Sequence, residues 1–353
     1  MPTRTDENIS AAVPEDRHHR GTWSRLGRAV LWFGLGLVVL VAFGCAYQRI
    51  ASASDEGSFV PRGQLFTVDN RQMHLVCEGE GSPVVILEAG GAAEALWWER
   101  IQQHVSAHTR VCAYDRAGHG WSEPASGPRD PQAIVDDLHT LLREAGIAPP
   151  YIMAGHSFGA VWARIFAAQF PDEVVGLALI DSTVLVPETF TDQSEFDGWK
   201  SSNDAIKALE RVAYEIGAIR ATAAGEFERA GYPSDIVPEL AALRSRTSVF
   251  EADYAEQIEA GWTLRDASAS AEHLGMLPVV VLWASETHTM MATVPVLQGP
   301  YAELSAFSSN SITRVVEGAN HGSILGMEPY AGKVSDAILE LMVAARTGEP
   351  LVE

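Results

Sequence analysis

Tyr151-Ile152-Met153-Ala154-Gly155-His156-Ser157-Phe158-Gly159, running on through Ala160 to Phe170 and Pro171, is the stretch from which the rest of the chain can be read. Tyr151-Ala154 is a short apolar run of strand type. Ala160-Phe170 is a helical run that Pro171 closes, and the pentapeptide between them has the pattern Gly-x-Ser-x-Gly. A strand that turns sharply into a helix holds the turn residue in strained backbone, and its flanking positions must be Gly because a Cβ there would clash. Glycine is common enough that the pentapeptide alone says little; the strand-turn-helix setting is what makes Ser157 a candidate nucleophile. The same turn sets Ser157 at the positive end of a helix, where the Phe158 N–H can donate to a developing oxyanion.

Such a nucleophile needs a second oxyanion donor, a base and an acid. Val84-Val85-Ile86-Leu87-Glu88 runs straight into Ala89-Gly90-Gly91-Ala92, a loop whose backbone can approach a substrate. The Gly91 N–H is the candidate donor and Gly90 supplies the tight turn; the plainer reading is a simple strand-to-helix loop. The base should follow the last strand. Thr313-Val316 leads into Glu317-Gly318-Ala319-Asn320-His321-Gly322, and His321 alone among the eleven histidines stands in that position. His18, His19 and His74 come too early and His119 sits in a glycine turn. His156 should point away if Ser157 points into a site, and His288 follows the penultimate strand. Two carboxylates compete for the acid: Asp181, closing Leu177-Ala178-Leu179-Ile180, and Glu286, three residues past Val279-Trp283. Either would accept the second ring N–H of His321 and stabilise its imidazolium. Asp181 is favoured because a strand end is held more rigidly than a loop.

Further out, Val- and Ile-rich runs alternate with amphipathic helical patterns, the signature of an α/β architecture with a mostly parallel sheet. Eight strands are expected: Leu65-Asp69, Met73-Cys77, Val84-Glu88, Val111-Tyr114, Tyr151-Ala154, Gly176-Ile180, Val279-Trp283 and Thr313-Val316. The helix Pro131-Ala145 shows the alternation well. Asp130 reads as its N-cap, Pro131 opens it, Ile134, Val135, Leu138, Leu141 and Leu142 form one apolar face, and Gly146 ends it. The rhythm breaks from about Thr183 to Ser270, where helical periodicity prevails and suggests a lid over the carboxyl edge of the sheet. Its aromatics, among them Phe190, Trp199, Tyr214, Phe250, Tyr254 and Trp262, are candidates to line an apolar pocket or to serve as ordinary packing.

The chain has 353 residues, 47% hydrophobic and 20% charged, enough for a large core. With 25 Lys+Arg against 46 Asp+Glu its net charge is −21. That charge would repel phosphate backbones, so nucleic acid is not an expected partner. Cys45, Cys77 and Cys112 are too few for a disulfide framework, and no CxxC or HExxH spacing points to a metal. Ala29 to Tyr47 carries no charge, which suits a helix crossing a bilayer core of roughly 30 Å. Arg17 to Arg28 before it holds four Arg and no acid, which puts the N-terminus in the cytoplasm and the remainder outside. A cleaved signal peptide ending at Ala51-Ser52-Ala53 is the alternative, with an apolar region long for that role. A lipobox at Cys45 fits less well, since Ala42 stands where Leu is usual. Without residues 1–47 the remainder carries −22, so the acidity belongs to the globular part. The expected organisation is a cytoplasmic segment 1–28, a transmembrane helix 29–47, a linker 48–63, a core of 64–182 and 271–347, and a helical lid 183–270.

With these residues set out, the chain resembles the α/β-hydrolase superfamily, in particular bacterial members that are membrane-anchored or exported. The resemblance runs from about Gly63 to Val343. It rests on His74-Leu75-Val76-Cys77, Val85 to Gly91, Arg110-Val111-Cys112-Ala113-Tyr114-Asp115-Arg116-Ala117-Gly118-His119-Gly120-Trp121-Ser122, Gly155 to Gly159, and Asn320-His321. It implies a Ser-His-acid triad, no cofactor, a small acyl substrate such as an ester, and structural turn-forming and salt-bridging roles for Asp115 and Arg116. In that fold the second strand runs beside the fourth, which implies a Cys77–Cys112 disulfide if the domain is exported. The sequence departs from the family after Trp283, where Ala284-Ser285-Glu286 replaces the usual Asp, and this keeps both acids in play. Ser in the elbow argues against dehalogenase and epoxide-hydrolase chemistry, which uses Asp there. A serine aminopeptidase or amidase, and an anchored binding protein with little turnover, are the alternative readings.

Overall fold

Runs such as Val84-Val85-Ile86-Leu87 and Val279-Val280-Val281-Leu282-Trp283 have no polar side to offer water, so they are stable as strands covered on both faces. In the computed structural model, which describes residues 18–183, 193–256, 274–293 and 304–352, both are fully buried. They belong to one eight-stranded sheet made of β1 (Gln64–Val68), β2 (Arg71–Glu78), β3 (Val84–Glu88), β4 (Val111–Tyr114), β5 (Tyr151–His156), β6 (Val174–Ile180), β7 (Val279–Ala284) and β8 (Ser311–Val316). The order across it is β1-β2-β4-β3-β5-β6-β7-β8. β2 is antiparallel to both β1 and β4, and the other neighbours are parallel. Asp69 and Asn70 connect β1 to β2 with φ of 46° and 64°, the positive angles at both central residues that a tight hairpin of matching twist needs. Cys77 and Cys112 lie opposite each other between β2 and β4, Cα atoms 4.1 Å apart, and form the disulfide that the strand order implied.

In chain order, α1 (His18–Ser58) precedes the sheet, and α2 (Glu99–Ser106), α3 (Pro131–Glu144) and α4 (Phe158–Gln169) connect its parallel strands. α5 (Gln193–Glu215), α6 (Ala218–Arg229), α7 (Val237–Arg244) and α8 (Thr247–Tyr254) fill the insertion between β6 and β7. α9 (Ser285–Thr293) follows β7, and α10 (Ser323–Gly326) and α11 (Glu328–Thr347) follow β8. Side chains alternate across each strand, so Leu87, Ile152 and Ile180 pack with Trp98, Ile338 and Leu341 on one face. Ile86, Met153 and Leu179 pack with Leu138, Trp162 and Phe166 on the other. The Asp130 side chain accepts the Ala133 N–H at 2.8 Å, the cap expected for α3.

In the insertion, Tyr214 and Phe250 pack with ring centroids 5.5 Å apart, and Phe250 stacks on Tyr254 at 6.2 Å. Trp199 packs on Phe196 at 5.7 Å; of these contacts the Tyr214–Phe250 one joins α5 to α8, and the other two lie within one helix each. Phe190 and Trp262 lie outside the described residues.

The expected linker is corrected by the structure. Residues 48–58 continue α1 as helix and dock on the insertion. Gln48, 5% exposed, donates to the Ser245 carbonyl at 2.7 Å. Arg220 donates to Gln48 Oε1 at 2.9 Å, to Asp55 Oδ2 at 2.6 Å and to Ser52 Oγ at 3.2 Å. The Ala, Ser and Gly of this stretch read as a tether locally, but partners far along the chain reward the helix.

Candidate active site

Ser157 joins β5 to α4 with φ 55° and ψ −124°, a conformation that an L-residue holds only when its surroundings dictate it. The two glycines make the turn possible. A Cβ on Gly155 would lie 2.3 Å from the Gly159 carbonyl, and one on Gly159 would lie 2.2 Å from the Glu88 carbonyl. The backbone is pinned by the Ser157 N–H donating to the Ile180 carbonyl at 3.1 Å, and by the Ala160 and Thr183 N–H groups, both 3.1 Å from the Ser157 carbonyl.

The loop Ala89-Gly90-Gly91-Ala92 passes over this turn. A Cβ on Gly90 would stand 3.0 Å from the Ser157 Cβ, and Ala92 has φ 52°. From beneath, buried Arg116 donates to the Ala89 carbonyl at 2.5 Å and to the Gly90 carbonyl at 2.8 Å. Gly91 thus sits on a loop fastened one residue earlier. The Phe158 N–H opens α4, where it has no intrahelical acceptor.

His321, on the loop between β8 and α10, meets Asp181 Oδ2 through Nδ1 at 2.6 Å. The carboxylate is saturated: Oδ2 also accepts from the Thr287 hydroxyl at 2.8 Å and Oδ1 from the Ala284 N–H at 2.9 Å. Burial pulls the Asp181 carboxyl up, but the hydrogen bond and charge of His321, with Thr287 and Ala284, outweigh it and leave the acid below its ordinary range. Asp181 has φ 43° and its N–H donates to the Leu282 carbonyl at 2.7 Å, so the strand end does hold it rigidly. Glu286 is exposed at the start of α9, and its N–H donates to the Ala319 carbonyl at 3.2 Å. Of the two candidate acids, Asp181 is the one brought to His321. The Ser157 hydroxyl meets the Thr183 hydroxyl at 3.4 Å, and among the described residues it makes no hydrogen bond to His321.

His156 does not point away from the site as expected. It is buried with its ring 4.5 Å from that of His321, and Nε2 is 3.0 Å from the His321 carbonyl oxygen. Burial first, then the neighbouring His321, pushes its pKa down to about 3, so it stays neutral. His156, Asp181 and His321 bring ligand-type atoms within 4.8 Å of one another. Both Asp181 oxygens are taken up by N–H and O–H donors, an arrangement suited to steering a proton and orienting a ring more than to receiving a cation.

Sequence reasoning missed Thr183, Thr287 and the network under the loop. Arg116 pairs with Glu88 at 2.8 Å and with Glu256 at 2.9 Å, and Tyr114 hydrogen-bonds Glu88. Asp115 accepts from the Ala95 and Trp121 N–H groups and meets His74 at 2.8 Å. These contacts bear out the structural roles that the resemblance implied for Asp115 and Arg116. The one legible signal for Glu88 was an acid ending an otherwise apolar strand, which requires a buried partner.

A Gly-x-Ser-x-Gly turn between a parallel strand and a helix, with a His-Asp pair brought beside it from two later strands, is the arrangement of a hydrolase. A family model described as alpha/beta hydrolase fold matches residues 82–325, and the chain belongs to that family. It is 28% identical over 204 residues to an uncharacterised protein of Schizosaccharomyces pombe, covering 49% of this chain and 38% of that one. The chain spans about a third to a half of the length of the first curated relatives it matches. An esterase from Thermogutta terrifontis superposes with TM-score 0.57 at 19% identity, over 81% of this chain and 100% of that chain. An epoxide hydrolase from Vigna radiata does so with TM-score 0.63 at 16% identity, over 79% and 97%. Similarity this low shows the fold alone.

Proposed function

We propose that this chain is a serine hydrolase that cleaves ester bonds of a small apolar acyl substrate, with Ser157 as nucleophile, His321 as general base and Asp181 as the acid of the triad. The observation that carries this reading is the 2.6 Å Asp181–His321 contact beside a serine at φ 55° on a strand-to-helix turn. In this reading the Ser157 hydroxyl leaves Thr183 for His321 when substrate binds, a tightening that unliganded sites commonly need. His321 then accepts the hydroxyl proton as Ser157 Oγ bonds to the acyl carbon, and the Gly91 and Phe158 N–H groups receive the oxyanion. The imidazolium returns its proton to the departing alcohol. Water attacks the acyl enzyme by the same route and releases the acid.

The chain is further proposed to be anchored by α1, with its hydrolase domain outside the cytoplasm. Cleavage after Ala53 would remove buried Gln48 together with its hydrogen bonds to Ser245 and Arg220, which favours a retained helix. The Cys77–Cys112 bond suits an oxidising compartment. The core is taken as residues 64–182 and 271–347, with 183–270 as its lid.

A fluorophosphonate probe on the full chain in detergent, with a series of p-nitrophenyl esters of increasing length, tests the reading. Labelling at Ser157 and ester turnover that both vanish in Ser157→Ala are expected. Turnover that survives Ser157→Ala would overturn it. Faster release from aminoacyl anilides than from any ester would replace esterase with amidase.

A further inference from the structure

Exposed apolar side chains on a soluble domain are normally scattered, but on α5 they form a stripe. Ile206, Leu209 and Val212 are 63%, 74% and 44% exposed, and their spacing keeps them on one helix face. Lys207 pairs with Glu210 at 2.8 Å and sits over the Phe250 ring, and Arg211 reaches Glu215 and Glu251 at 3.3 and 3.0 Å.

What adjoins the stripe identifies what covers it. Directly after α5, Ile216 meets α1 so closely that a Cβ on Gly44 would lie 2.9 Å from the Ile216 Cβ. Gly217 meets the Tyr47 ring in the same way, at 3.0 Å from its own missing Cβ. Arg220, on α6, then ties the insertion to α1 through Gln48, Ser52 and Asp55. Gly44 belongs to an apolar segment whose Val38, Leu40 and Phe43 are 65%, 66% and 73% exposed, side chains that only hydrocarbon would cover. The stripe therefore starts where the apolar part of α1 ends and is locked to it. An amphipathic helix so held lies in the plane of the membrane surface with its apolar face in the headgroup-acyl boundary.

We propose that α5 is a second membrane contact, with Ile206, Leu209 and Val212 in the outer boundary of the bilayer that α1 spans, and that the substrate is an acyl ester dissolved in that leaflet. This rests on α1 as a retained anchor and, for the substrate, on Ser157 as nucleophile. The insertion that carries α5 then faces the lipid, so an ester can pass from the leaflet toward Ser157 without crossing water.

The test uses the full chain in phosphatidylcholine vesicles. In a Cys45→Ser background, a nitroxide is attached at Leu209→Cys and, as an exposed control on the same helix, at Asp197→Cys. The label at 209 is expected to collide more with oxygen than with a water-soluble nickel chelate, and the label at 197 the reverse. Equal nickel access at both sites, or dipolar broadening showing that a second copy covers the stripe, would overturn the proposal. The double substitution Ile206→Glu with Leu209→Glu should lower turnover of a long-chain ester embedded in vesicles by about tenfold or more, leaving a short soluble ester unaffected. An equal effect on both esters would overturn the substrate class. No turnover of either ester by the unaltered chain would sink the hydrolase reading, and the nitroxide result would still decide the surface.

Discussion

Asp181 with His321, and Glu88 with Arg116 and Glu256, are built from the same kinds of part. Each starts from a carboxylate at the carboxyl end of a buried parallel strand, β6 or β3, and pairs it with a basic side chain. They differ at the basic end. The His321 side chain is 51% exposed and uses Nδ1 on Asp181, and its other ring nitrogen makes no hydrogen bond among the described residues. The Arg116 side chain is 2% exposed and spends its donors on Glu88, Glu256 and the carbonyls of Ala89 and Gly90. A buried pair whose cation has its donors committed can only fix backbone, here the loop over Ser157. A pair with one open, titratable end can move a proton.

That contrast breaks if the wrong pair proves essential for turnover. Ser157→Ala and His321→Ala should each lower kcat for ester hydrolysis by about five to six orders of magnitude, with the double variant scarcely worse than either, if both act in one step as proposed. In the proposed triad Asp181→Asn leaves nucleophile and base present but the ring poorly oriented, so a loss of about two to four orders is expected, against about tenfold or less for Glu286→Gln. The reverse ranking, with both variants folded by circular dichroism, would return the acid to the loop after β7. Arg116→Met should act through the fold. Stranding Glu88 and Glu256 in the interior removes about 3–5 kcal/mol of stability, read as a lowered denaturation midpoint. Unchanged stability with lost activity would move Arg116 from a positioning role into the chemistry.

The sequence made the sheet legible because parallel strands are buried on both faces and read as uninterrupted Val and Ile runs. It made Ser157 and His321 legible because a glycine-flanked turn and a loop after the last strand are local features. Asp181 and Glu88 looked alike from sequence, each an acid at the end of an apolar strand. Only the fold brings His321 to the one, from 140 residues away, and Glu256 to the other through Arg116. The docked part of α1 was illegible for the same reason. Its Ala-Ser composition is that of a tether, and Ser245, the partner that gives Gln48 its place, lies 197 residues on. His156 was misread because side-chain alternation along β5 does not carry through the sharp turn at Ser157.

A smaller effect separates the two regions by the direction of their titration. His156, beside His321, is pushed down to about 3, chiefly by burial, whereas an unfolded histidine titrates near 6.5. Between these values the unfolded chain binds a proton that the native one refuses, so this group's contribution to stability is lost on acidification and rises with pH. Glu88 behaves oppositely. Burial raises it to about 7 against the opposing pull of Arg116 and Tyr114, while an unfolded glutamate titrates near 4.5. Across that window the native chain holds the extra proton, so this contribution falls as pH rises. From pH 5 to 6.5 each is worth on the order of 1–2 kcal/mol, with opposite sign. Relative to the parent chain, His156→Gln should therefore lose stability over that interval and Glu88→Gln should gain it, measured as denaturant midpoints in detergent with the disulfide intact. Parallel pH curves for all three proteins would mean that neither group is as buried in solution as its surroundings dictate here, and the distinction between an open pair and a sealed one would lose its electrostatic basis.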